Sequence, residues 1–137
     1  MAALSETQAA QLLEAAQTAA SRAYAPFSKF QVGAAILTQS GQIFTGCNVE
    51  NSSYGLTNCA ERTAIFTAVA AGALGVENDL VAVATVNLDG AICSPCGACR
   101  QVIFEFGPDA TVLYRAHDGK IAHTLAKDLL PEGFRLR

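Results

Sequence analysis

Ala9, Leu12, Leu13, Ala16 and Ala20 recur at helical spacing, and Ser5 followed by Gln8 has the form of a capping box. Residues 5–22 therefore read as an amphipathic helix, whose alanine content favours the helix and permits close packing. Tyr24-Ala25-Pro26 interrupts it, because proline lacks a donor and restricts the residue before it. Residues 30–37 and 42–46 read as two strands around the polar turn Thr38-Gln39-Ser40-Gly41. Residues 47–58 are irregular and polar, the kind of loop that carries chemistry on a scaffold. A second helix is predicted over 59–71, with Ile65, Phe66 and Val69 as apolar positions and Gly72 as its stop. Residues 80–86 form a nearly continuous apolar run, as in a strand covered on both faces. A short helix over 96–106 and a buried strand over 110–114 follow, then a turn at His117-Asp118-Gly119-Lys120. The segment after Ile121 suits strand and helix equally. The order α-β-β-α-β-α-β predicts an α/β fold, a mixed sheet with helices on both faces. No repeat, linker or low-complexity block divides it.

Composition narrows the choice. A chain of 137 residues is the size of one domain, and a single domain over 1–137 is expected. Hydrophobic residues at 51% and charged residues at 15% exclude a disordered segment. A formal charge of −3 provides no broad field for a phosphate backbone, so no nucleic acid is expected as partner. No apolar stretch approaches the roughly 18–20 residues that span a bilayer. The start, Met1-Ala2-Ala3-Leu4-Ser5-Glu6, lacks the basic and apolar regions of a secretion signal. A cytoplasmic location without membrane attachment is the expectation. Charged residues also fall below the roughly 25–35% of a comfortable monomer surface, which predicts that other subunits cover part of it. A surface rich in Ser, Thr, Gln and Ala would serve as well.

The five cysteines are Cys47, Cys59, Cys93, Cys96 and Cys99. An odd number, three of them at spacings of three, suits thiols or metal ligands better than framework disulfides. Cys96 and Cys99 begin one predicted helix and Cys59 begins another. Helix starts offer unpaired N–H groups and a positive dipole end, both of which favour thiolate. Two such ends meeting would hold three sulfurs around zinc at about 2.3 Å and leave the open position of a catalytic site. Glu61, two residues after Cys59, could reach that position and carry protons. Other readings stand beside this one. Cys-x-x-Cys can be a redox pair, and Cys93 could complete a closed four-sulfur zinc or iron–sulfur site. Ser94-Pro95 argues against the latter, since an N-cap and first-turn proline there would leave Cys93 ahead of the helix. Asn58 with Glu61 is also a capping-box pattern.

Cys59-Ala60-Glu61 with Pro95-Cys96-Gly97-Ala98-Cys99 resembles the zinc nucleoside and nucleobase deaminases, whose signature is His-x-Glu then Pro-Cys-x-x-Cys. Cys59 stands where that signature has His. Three cysteines are similar to the small homotetrameric enzymes of the cytidine/deoxycytidylate deaminase family, and the likeness runs from Tyr24-Ala25-Pro26-Phe27-Ser28 to Leu130-Pro131. The resemblance implies a three-layer α/β/α fold around a five-stranded mixed sheet, and one Zn²⁺ per subunit on Cys59, Cys96 and Cys99. It implies hydrolytic deamination of free cytidine and deoxycytidine to uridine and deoxyuridine, with release of ammonia, as in pyrimidine salvage. Glu61 would take a proton from zinc-bound water and protonate N3 of cytosine. After attack of the hydroxide at C4 it would pass a proton to the leaving amine.

Within Gly46-Cys47-Asn48-Val49-Glu50-Asn51, the resemblance assigns Asn48 and Glu50 to the ribose 3′-hydroxyl. A satisfied turn is their plainer reading. Phe30 would pack on the pyrimidine, although its place in a predicted strand favours strand core. The backbone around Ala60 and Ser94 would orient the base. Tyr54 and Phe134 resemble residues that close the site across subunit boundaries. Arg62, beside the ligands, would temper the sulfur charge. Arg100 would do likewise or lie exposed on its helix.

Overall fold

The computed structural model describes residues 4–137. Helix α1, Glu6–Ala20, starts at the capping box: Ser5 Oγ accepts from Gln8 N at 3.1 Å, and Gln8 Oε1 accepts from Ser5 N at 3.0 Å. It ends before the predicted stop, where Ser21 Oγ donates to Thr18 O at 2.6 Å. Strands β1, Val32–Thr38, and β2, Ile43–Cys47, form the predicted antiparallel hairpin. Phe30 therefore precedes the strand rather than lying in its core, and is 40% exposed.

Helix α2, Ala60–Ala70, corrects the sequence reading at two points. Its buried face is Ala60, Glu61, Ala64, Ile65 and Ala68, whereas Phe66 and Val69 are exposed. Alanines fill the interior because the helix lies close on the sheet: a Cβ added to Gly46 of β2 would stand 2.5 Å from Ala64 N. The second point is the cap. Cys59 occupies the N-cap position without a side-chain cap bond, and Asn58 Nδ2 donates instead to Thr63 Oγ1 at 3.0 Å. Gly72, at φ +77°, turns the chain after the helix as expected.

Strand β3, Leu80–Asn87, leads to helix α3, Gly97–Phe106, and strand β4, Thr111–Arg115. Cys96 is the N-cap of α3, so Ser94 and Pro95 lie before the cap rather than forming it. The ambiguous tail holds both elements, strand β5, Ile121–Leu125, followed by helix α4, Ala126–Leu129.

The sheet order is β2-β1-β3-β4-β5, with β3 and β4 parallel and the other neighbours antiparallel. One core cluster joins α1 to Ala35, Leu37, Ala82, Ala84 and Leu113. The other joins α2, α3 and α4 to Ala34, Ile36, Val83 and Val112. This is a three-layer α/β/α fold around a five-stranded mixed sheet. Because β2 and β3 both run antiparallel to β1, their C-terminal ends lie on the same side of the sheet. Helices α2 and α3 each begin after one of those ends and cover the same face. Two helix N-termini consequently converge at one edge, where open α/β sheets place their ligands.

Candidate active site

At that edge the sulfurs of Cys59, Cys96 and Cys99 all lie within 4.8 Å of one another. Cys59 Sγ and Cys96 Sγ are 3.7 Å apart. Sulfurs about 2.3 Å from a tetrahedral centre stand about 3.8 Å from each other, so the donor set fits zinc in both chemistry and spacing. The cluster is capable of coordinating one zinc ion per subunit. Cys96 Sγ also accepts from Cys99 N at 3.5 Å, so one sulfur both caps α3 and faces the cluster. The hydrogen bond from Cys99 holds Cys59 down to about 5, and the same bond together with burial pushes Cys99 up. Cys93 stands outside the cluster, half-buried, with its thiol pushed up to about 11 by burial.

Arg62 Nη2 donates to Cys59 Sγ at 3.2 Å, and this bond raises the affinity of the guanidinium for its proton. Its Nε is buried with no partner. Glu61 is 4% exposed. Burial pushes its carboxyl up to about 7, with its own backbone N–H opposing and the charge on Cys59 adding to the rise. A carboxyl poised there can both take and give a proton near neutral pH. Ala60, the first residue of α2, is fully buried.

The loop between β2 and α2 is pinned on both sides. Tyr24 N donates to Asn48 O at 3.0 Å, Glu50 N to Tyr24 O at 2.8 Å, and Val49 and Asn58 exchange a pair of backbone bonds at 2.9 Å. Asn48 Oδ1 accepts from Val32 N at 2.8 Å, and its Nδ2 donates to Phe30 O at 2.9 Å. Glu50 Oε1 accepts from Phe27 N and Ser28 N, and Oε2 from Ser28 Oγ. Those donors hold its carboxyl below the usual range, the Ser28 hydroxyl most of all. Ser28 Oγ in turn accepts from Phe30 N at 3.0 Å. Both polar side chains thus brace the segment that carries Phe30, and each keeps hydrogen-bonding capacity to spare, a second amide proton in Asn48 and a fourth lone-pair site in Glu50. The sequence reading did not single out Ser28. A serine two residues before an extended segment is the available signal, that of a hydroxyl closing a local turn.

Phe27, Ser28, Glu50, Tyr54 and Thr57 line a hollow of about 320 Å³. The rings of Phe27 and Tyr54 meet there at 5.7 Å and 59°. Tyr54 is 74% exposed. Phe134 lies elsewhere, in the tail after α4, which runs against α3: its carbonyl accepts from Gln101 Nε2 at 3.1 Å. Its ring is 67% exposed. A larger cleft of about 650 Å³, between α1 and the outer edge of β2, contains none of the three clustered sulfurs.

The family described as "Cytidine and deoxycytidylate deaminase zinc-binding region" matches residues 6–115. The chain belongs to this family. It is a zinc-dependent deaminase, with hydrolytic chemistry of the cytidine-deaminase type on a three-cysteine cluster. Among its relatives, it is 46% identical to the cytidine deaminase of Halalkalibacterium halodurans over 90% of this chain and 91% of that one. It is 42% identical to the cytidine deaminase of Mycobacterium tuberculosis over 88% and 85% of the two chains. The crystal structure of cytidine deaminase from Burkholderia pseudomallei superposes with a TM-score of 0.82 at 51% identity, covering 91% of this deaminase and 98% of that chain. Among the described residues, no helix is long and apolar enough to cross a membrane.

Proposed function

We propose that this deaminase converts free cytidine and deoxycytidine to uridine and deoxyuridine, releasing ammonia, with Cys59, Cys96 and Cys99 holding the metal and Glu61 carrying the protons. The observation that carries the reading is a buried carboxyl, pushed up to about 7, on the same helix start that supplies the first sulfur. Zinc on the three sulfurs supplies the Lewis acidity that makes water a nucleophile near neutral pH. Glu61 removes a proton from the attacking water, delivers a proton to N3 of the base and then one to the departing amine. Arg62 donates to Cys59 and offsets the charge of three thiolates.

Phe30, exposed just before β1, packs on the pyrimidine, and the backbone at Ala60 orients the base. Asn48 and Glu50 use their spare hydrogen-bonding capacity on the ribose 3′-hydroxyl. The 46% identity to a cytidine deaminase over nine-tenths of the chain supports this choice of substrate.

The same reading makes the protein a homotetramer, with Tyr54 and Phe134 closing sites near subunit interfaces. Exposed aromatic rings on both residues and a charged fraction of 15% support it. It is also a single domain over 1–137, cytoplasmic, and free of nucleic-acid and membrane partners. The test measures zinc content and ammonia release from cytidine on the same preparation. Stoichiometric zinc with turnover of cytidine is the expected result. Stoichiometric zinc with no deamination of either nucleoside would overturn it.

A further inference from the structure

Arg100 follows the ligand Cys99, yet its guanidinium makes its hydrogen bonds away from the sulfurs. Nε donates to Pro95 O at 2.8 Å, and Nη1 donates to Leu129 O at 3.2 Å. The reason lies in the first turn of α3. Cys96 is the N-cap, so the Cys99 N–H, in the first turn, has no carbonyl partner within the helix. Here that N–H is directed to Cys96 Sγ at 3.5 Å, while the next one, Arg100 N, makes the ordinary bond to Cys96 O at 2.9 Å. Pro95, just before the cap, is fully buried, so its carbonyl has no access to bulk water and needs a protein donor. Arg100 is that donor. Its other arm takes Leu129 O, one of the carbonyls that the end of α4 leaves unpaired.

We propose that Arg100 is a positioning residue for the metal centre. It fixes the Pro95 carbonyl, and with it the backbone leading into Cys96, whose sulfur receives the Cys99 N–H, and it anchors this arrangement to α4. The inference rests on the zinc reading of the three cysteines. An N–H directed at a ligand sulfur fixes that ligand's orientation and tempers its charge, the work of groups just behind a metal's ligands. Lysine keeps the charge at this position and loses the two-armed fork, so it separates geometry from electrostatics.

The experiment follows transfer of zinc from the purified, zinc-loaded protein to an excess of a chromogenic chelator. The wild type is compared with Arg100→Gln, Arg100→Lys and Arg137→Ala. Arg137 is the control, because it bonds Glu105 O at the opposite end of the same helix. Release from Arg100→Gln is expected to accelerate about 10–100-fold. Arg100→Lys should fall between it and the wild type, and Arg137→Ala should match the wild type. The cobalt-substituted protein gives a second readout, since its visible bands report the ligand field, and these should shift in the Arg100 variants alone.

Release within about twofold of wild type in a folded Arg100→Gln protein, or equal acceleration in Arg137→Ala, would overturn the inference. If Arg100→Gln does not fold, Arg100→Lys decides by the same criterion. A wild-type protein that takes up no zinc would overturn the zinc reading and this inference together, before any variant is compared.

Discussion

At the scale of single side chains, Cys93 and Glu61 give the sharpest tests of the proposed chemistry. Cys93 sits three residues before a ligand, yet burial pushes its thiol up to about 11 and it lies outside the sulfur cluster. Cys93→Ser should therefore retain stoichiometric zinc and most activity, whereas Cys59→Ser, Cys96→Ser and Cys99→Ser should each lose the metal; elemental analysis of the purified variants checks it. For Glu61, α2 has no side-chain cap bond, and Asn58 is engaged with Thr63. Stabilisation of the helix start is thus a poor account of this carboxyl. Glu61→Gln should keep fold and zinc while the single-turnover rate on cytidine drops about 10²–10⁴-fold, the range for positioned proton transfer. Retention of a tenth of the rate would rule that role out. Glu50 offers a test in pH. Its folded carboxyl is held below the ordinary 4.5, so its charge adds stability that is fully present above that value and is lost as pH falls through the lowered one. Acid unfolding of wild type and Glu50→Gln should show a stability gap at neutral pH that closes over that interval.

At the scale of elements, the position of α2 depends on the absence of a side chain. A Cβ at Gly46 would approach Ala64 N at 2.5 Å and Ala60 O at 2.8 Å, both backbone atoms that cannot swing aside. Gly46→Ala should lower stability by about 1–3 kcal/mol in denaturant titration, as overpacking does, and lower zinc occupancy with it, because the displaced helix carries Cys59. The same close contact explains what the sequence hid. Helical spacing pointed to Ile65, Phe66 and Val69, but a helix lying on a glycine buries alanines, and the two larger groups face outward. Helix α1 was legible because its cap is entirely local, from Ser5 to Gln8. Residues 121–129 were not, because Ile121-Ala122-His123-Thr124-Leu125 mixes strand and helix signals and only pairing with β4 settles them. The three-cysteine cluster was legible, since Cys59 and the Cys96-x-x-Cys99 pair fall at two predicted helix starts. The bond from Arg100 to Pro95 O was not, because it answers a buried carbonyl just ahead of the α3 cap, and that burial is set by the fold.

For the whole molecule, the exposed aromatics and the sparse charge belong to one argument. Phe27, Phe30, Tyr54, Phe66 and Phe134 are each at least 40% exposed on a chain with 15% charged residues. Sedimentation equilibrium at low micromolar protein should give a homotetramer; a fully active monomer would reject both the assembly and the shared closure of the site. The tail bearing Phe134 is fastened to the metal-bearing helix, with Arg135 Nη1 and Arg137 Nη2 both donating to Glu105 O, at 3.2 and 2.7 Å. One helix thus brings two of the clustered sulfurs to its start and steadies the tail of an outward-facing aromatic near its end.

The convergence of two helix starts at one sheet edge also bears on how the protein is made. Cys59 and Cys96 are separated by 37 positions, and β3 lies between their helices. Neither helix alone can gather three sulfurs. A chain emerging from the ribosome has no three-sulfur site until α3 is out and its start has met that of α2. Up to that point its thiols are scattered and open to oxidation or to other metals. Zinc on the three sulfurs would tie the start of α2 to the start of α3, so metal content would report on completed folding as well as on catalytic competence.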